Sequence, residues 1–300
     1  MAPLNLPSRA RPSPALLTLP LALLLSLAIA ANPQTSSPTS LLAQTTQSTL
    51  NRLWPSTTNP HLSWLVLDTT TGQLLAEQWP ALDQPIPVGS LTKPFLALAY
   101  AATHTTFPHI TCHGNSGLTP AGQPTDRCWL PRGHGQLNLQ TALANSCNAY
   151  FLGLSRAIDP SALHTVTQTY SLPDPPLNAT PATLIGLNAT WQISPLTIAR
   201  AYTKLISQPN AEPVLAGLHL ATQQGTAIAL RSEDAVAKTG TAPCQKHCLI
   251  TSDGLIIALT PAANPRILLF VRQQGATGAT TAAIAAQMLH ALKVHDAESN

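Results

Sequence analysis

The chain has 300 residues, 44% of them hydrophobic and only 9% charged, with 28 prolines and a formal net charge of +3. That is enough apolar content for a substantial core, which excludes a disordered chain, and too little clustered positive charge for a nucleic-acid partner.

Arg9 and Arg11 precede an apolar run from about Ala15 to Ala31 that closes on Ala28-Ile29-Ala30, the layout of a signal peptide or N-terminal membrane anchor over residues 1–31. Either device places the remainder outside the cytoplasm. Residues 32–40 form a polar Ser/Thr/Pro linker, and a folded domain over 41–300 is expected to open with a helix from Leu41 to Leu53. Leu62 to Leu67 and Gln73 to Gln78 read as two strands of a hairpin around Thr69-Thr70-Thr71-Gly72. Gly89-Ser90 opens a helix to about Ala102, and Pro94 fits only near its start.

Thr105 to Gln136 is rich in Pro, Gly and His. Helical spacing resumes at Leu137 and returns over Ala149 to Ile158 and Pro195 to Ile206, so the middle of the chain reads as all-helical. Strands are expected at Ala235 to Lys238, Gly254 to Leu259 and Ile267 to Arg272, followed by a helix over Thr280 to Val294. The order implies an α+β fold, an antiparallel sheet flanked by helices with an inserted all-helical subdomain.

Five cysteines suit an oxidising compartment but leave one unpaired. Cys112 with Cys128 is the preferred disulfide, closing the loop between them. Cys244 and Cys248 lie in a turn where they can pair with each other, which leaves Cys147 free. The groupings Cys112, His113, Cys128 and His134, or Cys244, His247 and Cys248, match no standard zinc spacing, so no metal or cofactor is expected.

Three islands carry chemistry: Ser90-Leu91-Thr92-Lys93, Ser146-Cys147-Asn148 and Lys238-Thr239-Gly240-Thr241. The chain has five lysines, and two of them stand where the order S-x-x-K, S-x-N, K-T-G requires. Ser90 at a helix start gains from the free N–H groups and positive dipole end as it acquires charge. Lys93, three residues on, shares its face, and a neutral lysine there can take the hydroxyl proton. Taken singly, Ser90, Ser146 and Asn148 read equally well as helix caps, and Tyr150 and Cys147 as packing residues.

The three motifs, with Gly133-His134-Gly135, Gln192-Ile193-Ser194-Pro195-Leu196 and Asp253-Gly254 to Pro261, resemble the transpeptidase domain of penicillin-binding proteins, a relative of the serine β-lactamases and β-lactam sensors. The resemblance covers about residues 41 to 294 and includes no pedestal or glycosyltransferase portion, which implies a minimal, single-domain member. It implies Ser90 as nucleophile, Lys93 as its base and Ser146 as proton relay to the leaving amine. Asn148 would hold the substrate amide, and Lys238, Thr239, Gly240 and Thr241 its carboxylate end, with the N–H groups of Ser90 and Thr241 as oxyanion hole. The implied substrates are D-Ala-D-Ala peptidoglycan stem peptides, by transpeptidation or carboxypeptidation, with β-lactam antibiotics and cell-wall synthesis proteins as further partners. A β-lactam or muropeptide sensor, or a class D-like β-lactamase, is the alternative. Glu212 and Glu233 are the only glutamates between the second and third motifs, and neither has the loop context of a deacylating base, nor does Asp174 among its prolines.

Overall fold

The computed structural model describes residues 38–114, 128–244 and 252–298. The expected signal or anchor, the linker up to residue 37 and His247 and Cys248 lie outside them. Among the described residues no helix is long and apolar enough to cross a membrane.

Helix α1 (Pro38–Leu53) precedes the hairpin β1 (Leu62–Asp68) and β2 (Leu74–Gln78). The hairpin turn places Gly72 at φ 69°, a left-handed conformation that glycine adopts without strain. After the two-residue β3 (Ile86–Pro87), a 3₁₀ turn over Gly89–Thr92 runs straight into α2 (Lys93–Ala101). The expected helix therefore begins as a tighter turn, with Ser90 inside it and Pro94 in the first positions of α2.

The middle of the chain is helical but not purely so. Strands β4 (Ile110–Cys112) and β5 (Gly135–Leu137) pair with each other ahead of α3 (Leu139–Ala144), α4 (Asn148–Ser155), α5 (Pro160–Thr169) and α6 (Pro181–Leu184). Then β6 (Gln192–Ile193) pairs back to β3, and α7 (Pro195–Leu205) and α8 (Glu212–Gln224) follow. Ladders this short leave no alternation to read in sequence, which is why an all-helical segment was expected.

Strands β7 (Val236–Pro243), β8 (Ser252–Thr260) and β9 (Ile267–Gln274) and helix α9 (Gly278–Glu298) complete the fold. The main sheet has the order β2-β1-β9-β8-β7, every pair antiparallel. Its central strands are buried on both faces, and alternate residues serve two cores. Leu65, Leu67, Ile257 and Phe270 pack toward α2 and the inserted helices; Trp64, Val66, Ile256 and Val271 pack toward α1 and α9. Burying each such side chain contributes roughly 1.5–3 kcal/mol, which makes this sheet the rigid frame against which the motif residues are held. Strand β7 is an edge strand, so its outer rim is free to face the turn that carries Ser90.

Candidate active site

Backbone contacts too close for any side chain join the first and third motifs. Gly89 has φ 54°, and a Cβ there would lie 2.8 Å from the Thr241 carbonyl oxygen and 3.2 Å from its amide nitrogen. A Cβ at Gly240 would meet the Val88 carbonyl at 3.0 Å. The turn bearing Ser90 is therefore pressed against the open rim of β7, and Ser90 itself stays half-buried while Leu91, Thr92 and Lys93 are buried. Two long-range hydrogen bonds pin the turn from below: Tyr202 Oη donates to the Leu91 carbonyl at 2.8 Å, and Thr92 Oγ1 to the Leu184 carbonyl at 2.7 Å.

The second motif sits at the junction of α3 and α4. The Cys147 amide donates to the Ala142 carbonyl and the Ser146 amide to the Leu143 carbonyl, the paired bonds of a Schellman helix end. That geometry puts Ser146 at φ 49°, a position where glycine is the usual occupant. The left-handed residue turns both its carbonyl and its hydroxyl toward the two motif lysines.

Lys93 Nζ donates to the Ser146 carbonyl at 2.7 Å and to Asn148 Oδ1 at 2.8 Å, and lies 3.4 Å from Ser146 Oγ. Lys238 Nζ donates to Ser146 Oγ at 2.8 Å and to the Thr239 carbonyl at 2.8 Å. Both lysines are wholly buried. Desolvation lowers the Lys93 amine from 10.5 to about 7, against a smaller opposite effect of Cys147 and Cys128. Desolvation, then the neighbouring Lys93, lowers Lys238 well below its ordinary value. The Phe151 ring, 5.5 Å from Lys93 Nζ, closes that side of the amine. Near neutral pH, then, a hydroxyl lies between two amines, one of which is half neutral: an arrangement that can accept and return a proton.

The structure brings together residues from all three sequence motifs. Lys93, Ser146, Asn148 and Lys238 are directly linked, Ser90 lies on the turn that leads into Lys93, and Thr239, Gly240 and Thr241 line the facing rim. Two contributors carried no sequence signal. Thr226 Oγ1 stands 2.5 Å from Thr239 Oγ1, and the Gly278 amide donates to Thr241 Oγ1 at 3.0 Å, so both threonine hydroxyls of the third motif are oriented from other elements. Two of the three carboxylates weighed as a deacylating base are engaged elsewhere. Asp174 accepts from Thr167 and pairs with His164, Glu212 opens α8, and Glu233 packs against Lys293.

The cysteines depart from expectation at one pairing. Cys112 and Cys128 are not disulfide-bonded; both are free buried thiols, as is Cys147, and Cys244 is the disulfide-bonded one. The Cys112–Cys128 loop is closed instead by the β4–β5 ladder and by the backbone crossing of Gly114 and Gly133, which leaves no need for a covalent tie.

A search of curated proteins finds no match. Among solved structures, the transpeptidase domain of penicillin-binding protein 3 from Burkholderia pseudomallei aligns at TM-score 0.67 and 17% identity, over 89% of this chain and 98% of that one. PBP2 from Pseudomonas aeruginosa, in complex with WCK 5153, aligns at 0.68 and 17%, over 83% and 74%. PBP2 from Helicobacter pylori, in complex with MreC, aligns at 0.70 and 16%, but this chain spans only 62% of its length. The model of the penicillin binding protein transpeptidase domain matches residues 62–292, more than half of the sequence, and by that match the chain belongs to the penicillin-binding protein transpeptidase family.

Proposed function

We propose that the chain is an extracytoplasmic, penicillin-binding active-site serine acyltransferase that cleaves the D-Ala-D-Ala end of peptidoglycan stem peptides through an acyl-enzyme on Ser90. The observation that carries this reading is the convergence of two wholly buried lysines on the Ser146 hydroxyl, beside the turn of Ser90. Neutral Lys93 takes the Ser90 proton as Oγ attacks the carbonyl, and the N–H groups of Ser90 and Thr241 receive the oxyanion. Ser146 hands a proton to the departing amine and is resupplied across its contacts with Lys93 and Lys238. Thr239 and Thr241 take the substrate carboxylate, and Asn148 its amide. Asp174 is held by Thr167 and His164, Glu233 faces Lys293 and Glu212 is exposed at the start of α8; none of the three contacts a motif residue, which favours a long-lived penicillin adduct over rapid hydrolysis. The Helicobacter PBP2–MreC complex makes a cell-wall synthesis protein a reasonable partner class.

The test is the intact mass of the chain after brief exposure to a penicillin, followed over hours beside Ser90→Ala. A persistent gain of one drug mass, absent from the variant, is expected. A transient adduct with drug consumption would make the chain a β-lactamase, and no adduct on either protein would overturn the acyltransferase reading.

A further inference from the structure

A second cluster of reactive side chains lies immediately behind the second motif. Cys112 ends β4, Cys128 and His134 flank the segment leading to β5, and Cys147 stands between Ser146 and Asn148. His134 Nδ1 is 3.3 Å from Cys128 Sγ and 3.6 Å from Cys112 Sγ, and Cys128 Sγ is 3.8 Å from Cys147 Sγ. All four ligand atoms lie within 4.8 Å of one another. The three thiols are free and 4% exposed or less, and the buried Nε2 of His134 has no hydrogen-bond partner.

These distances have a specific meaning. With Zn–S of about 2.3 Å and Zn–N of about 2.05 Å at tetrahedral angles, the edges of a zinc polyhedron are about 3.8 Å for S–S and about 3.5 Å for S–N. Three of the six edges match, at 3.3 and 3.6 Å for S–N and 3.8 Å for S–S, and the remaining three lie within 4.8 Å. A disulfide would instead require two of the sulfurs at about 2.05 Å and would leave the third unpaired beside a buried imidazole. The backbone is also built for the convergence. A Cβ at Gly133 would lie 2.2 Å from the Cys112 carbonyl, and one at Gly114 2.2 Å from the Pro131 carbonyl, both at positive φ. Only glycines let these two segments cross closely enough to aim Cys112, Cys128 and His134 at one point.

We propose that Cys112, Cys128, Cys147 and His134 form a structural zinc site of the Cys₃His type, with His134 coordinating through Nδ1. Binding displaces three thiol protons to solvent and uses the neutral imidazole, giving a closed four-coordinate site with no position for substrate. The ion ties β4, the segment ahead of β5 and the α3–α4 junction together, and so holds the left-handed turn in which Ser146 meets both lysines. Trp129 braces the same assembly, its indole N–H donating to the Asn145 carbonyl at 3.0 Å and its ring packing edge-on to His134. This site departs from the sequence expectation of no metal, because its ligands come together only through the fold.

The test is the metal content of the full chain purified without chelator, with Co²⁺ substitution as a second readout. One zinc per chain, thiolate-to-cobalt charge-transfer absorption after exchange, and a loss of zinc together with a lowered Tm in His134→Ala and Cys112→Ser are expected. None of these depends on Ser90 being a nucleophile, so failure of the acyltransferase reading would leave them standing. Metal-free, fully folded protein with three alkylatable thiols would overturn the proposal, as would a Cys128–Cys147 disulfide in unreduced protein. If the variants fail to fold, the wild-type zinc stoichiometry and cobalt spectrum decide the question by themselves.

Discussion

Lys93→Met makes the cost of the buried amine measurable. In the folded chain the Lys93 amine titrates at about 7 rather than 10.5, because burial disfavours its ammonium form. Between those values the unfolded chain binds more protons than the folded one, so stability rises with pH across that window and the penalty is fully developed below about pH 7. Integrating the shift gives a penalty of about 4 kcal/mol at pH 7 and about 2 kcal/mol at pH 9. Methionine removes this penalty but orphans two acceptors, the Ser146 carbonyl and Asn148 Oδ1, at roughly 1–3 kcal/mol each. The absolute change at one pH is thus a small difference of large terms, but the orphaned acceptors do not titrate. The variant should gain about 2 kcal/mol relative to wild type when the comparison moves from pH 9 to pH 7, roughly 4–8 °C in Tm. Lys238 acts in the same sense, since removing Lys93 also removes the charge that lowers it, and Cys147 and Cys128, which oppose the shift, remain in both proteins. Thermal melts of both proteins at pH 7 and pH 9 decide the matter. A wild-type-to-variant difference that does not change with pH would mean that Lys93 is not the desolvated amine its burial implies.

The same lowered amine predicts that the second-order rate of penicillin acylation climbs about tenfold from pH 6 to pH 8, as Lys93 passes from ammonium to amine; a flat profile would remove it as the base. Gly89→Ala forces a Cβ to 2.8 Å from the Thr241 carbonyl at φ 54° and should lower stability by roughly 2 kcal/mol, read from urea midpoints, with slower acylation because the Ser90 turn is pushed off β7. Thr226→Val removes the hydroxyl that orients Thr239, and should raise the penicillin concentration for half-maximal acylation several-fold while leaving the limiting rate nearly unchanged, the mark of a lost binding contact. A fall in limiting rate alone would place Thr226 in the chemistry instead.

Local signals carried well wherever one element had one job. The β1–β2 hairpin, the strands β8 and β9 and the three motifs were all readable, because short continuous apolar runs bounded by turn residues and glycine at a positive φ leave direct marks in sequence. Helix α5 left no such mark. Its sequence PSALHTVTQT is rich in β-branched residues that resist helix formation, and it is held by the Asp159 cap and by burial of Leu163 and Val166. The 3₁₀ start before α2 was equally hidden, since its cause is the approach of Thr241 from more than a hundred residues away. For the same reason the partners of Cys112 were misjudged. A disulfide across one loop is a local inference, whereas Cys147 reaches that loop only because the α3–α4 junction folds over it.

Two departures from ordinary protein chemistry coincide at Ser146. Its backbone is left-handed at a helix end where glycine would cost nothing, at a strain of roughly 1–2 kcal/mol. Around it two lysine amines are taken wholly out of water, each at the cost of its preferred charge state. Neither feature helps the chain to fold, and a Schellman turn with glycine and an apolar pair in place of the lysines would satisfy packing better. Both follow at once if the hydroxyl must stand between two amines whose hold on a proton burial has weakened. The left-handed serine presents carbonyl and hydroxyl to the same side, and burial brings Lys93 into the range where it gives and takes a proton near neutrality. The strain and the desolvation are then one design, with the sheet on one side and the cysteine–histidine cluster on the other supplying the rigidity that keeps it from relaxing.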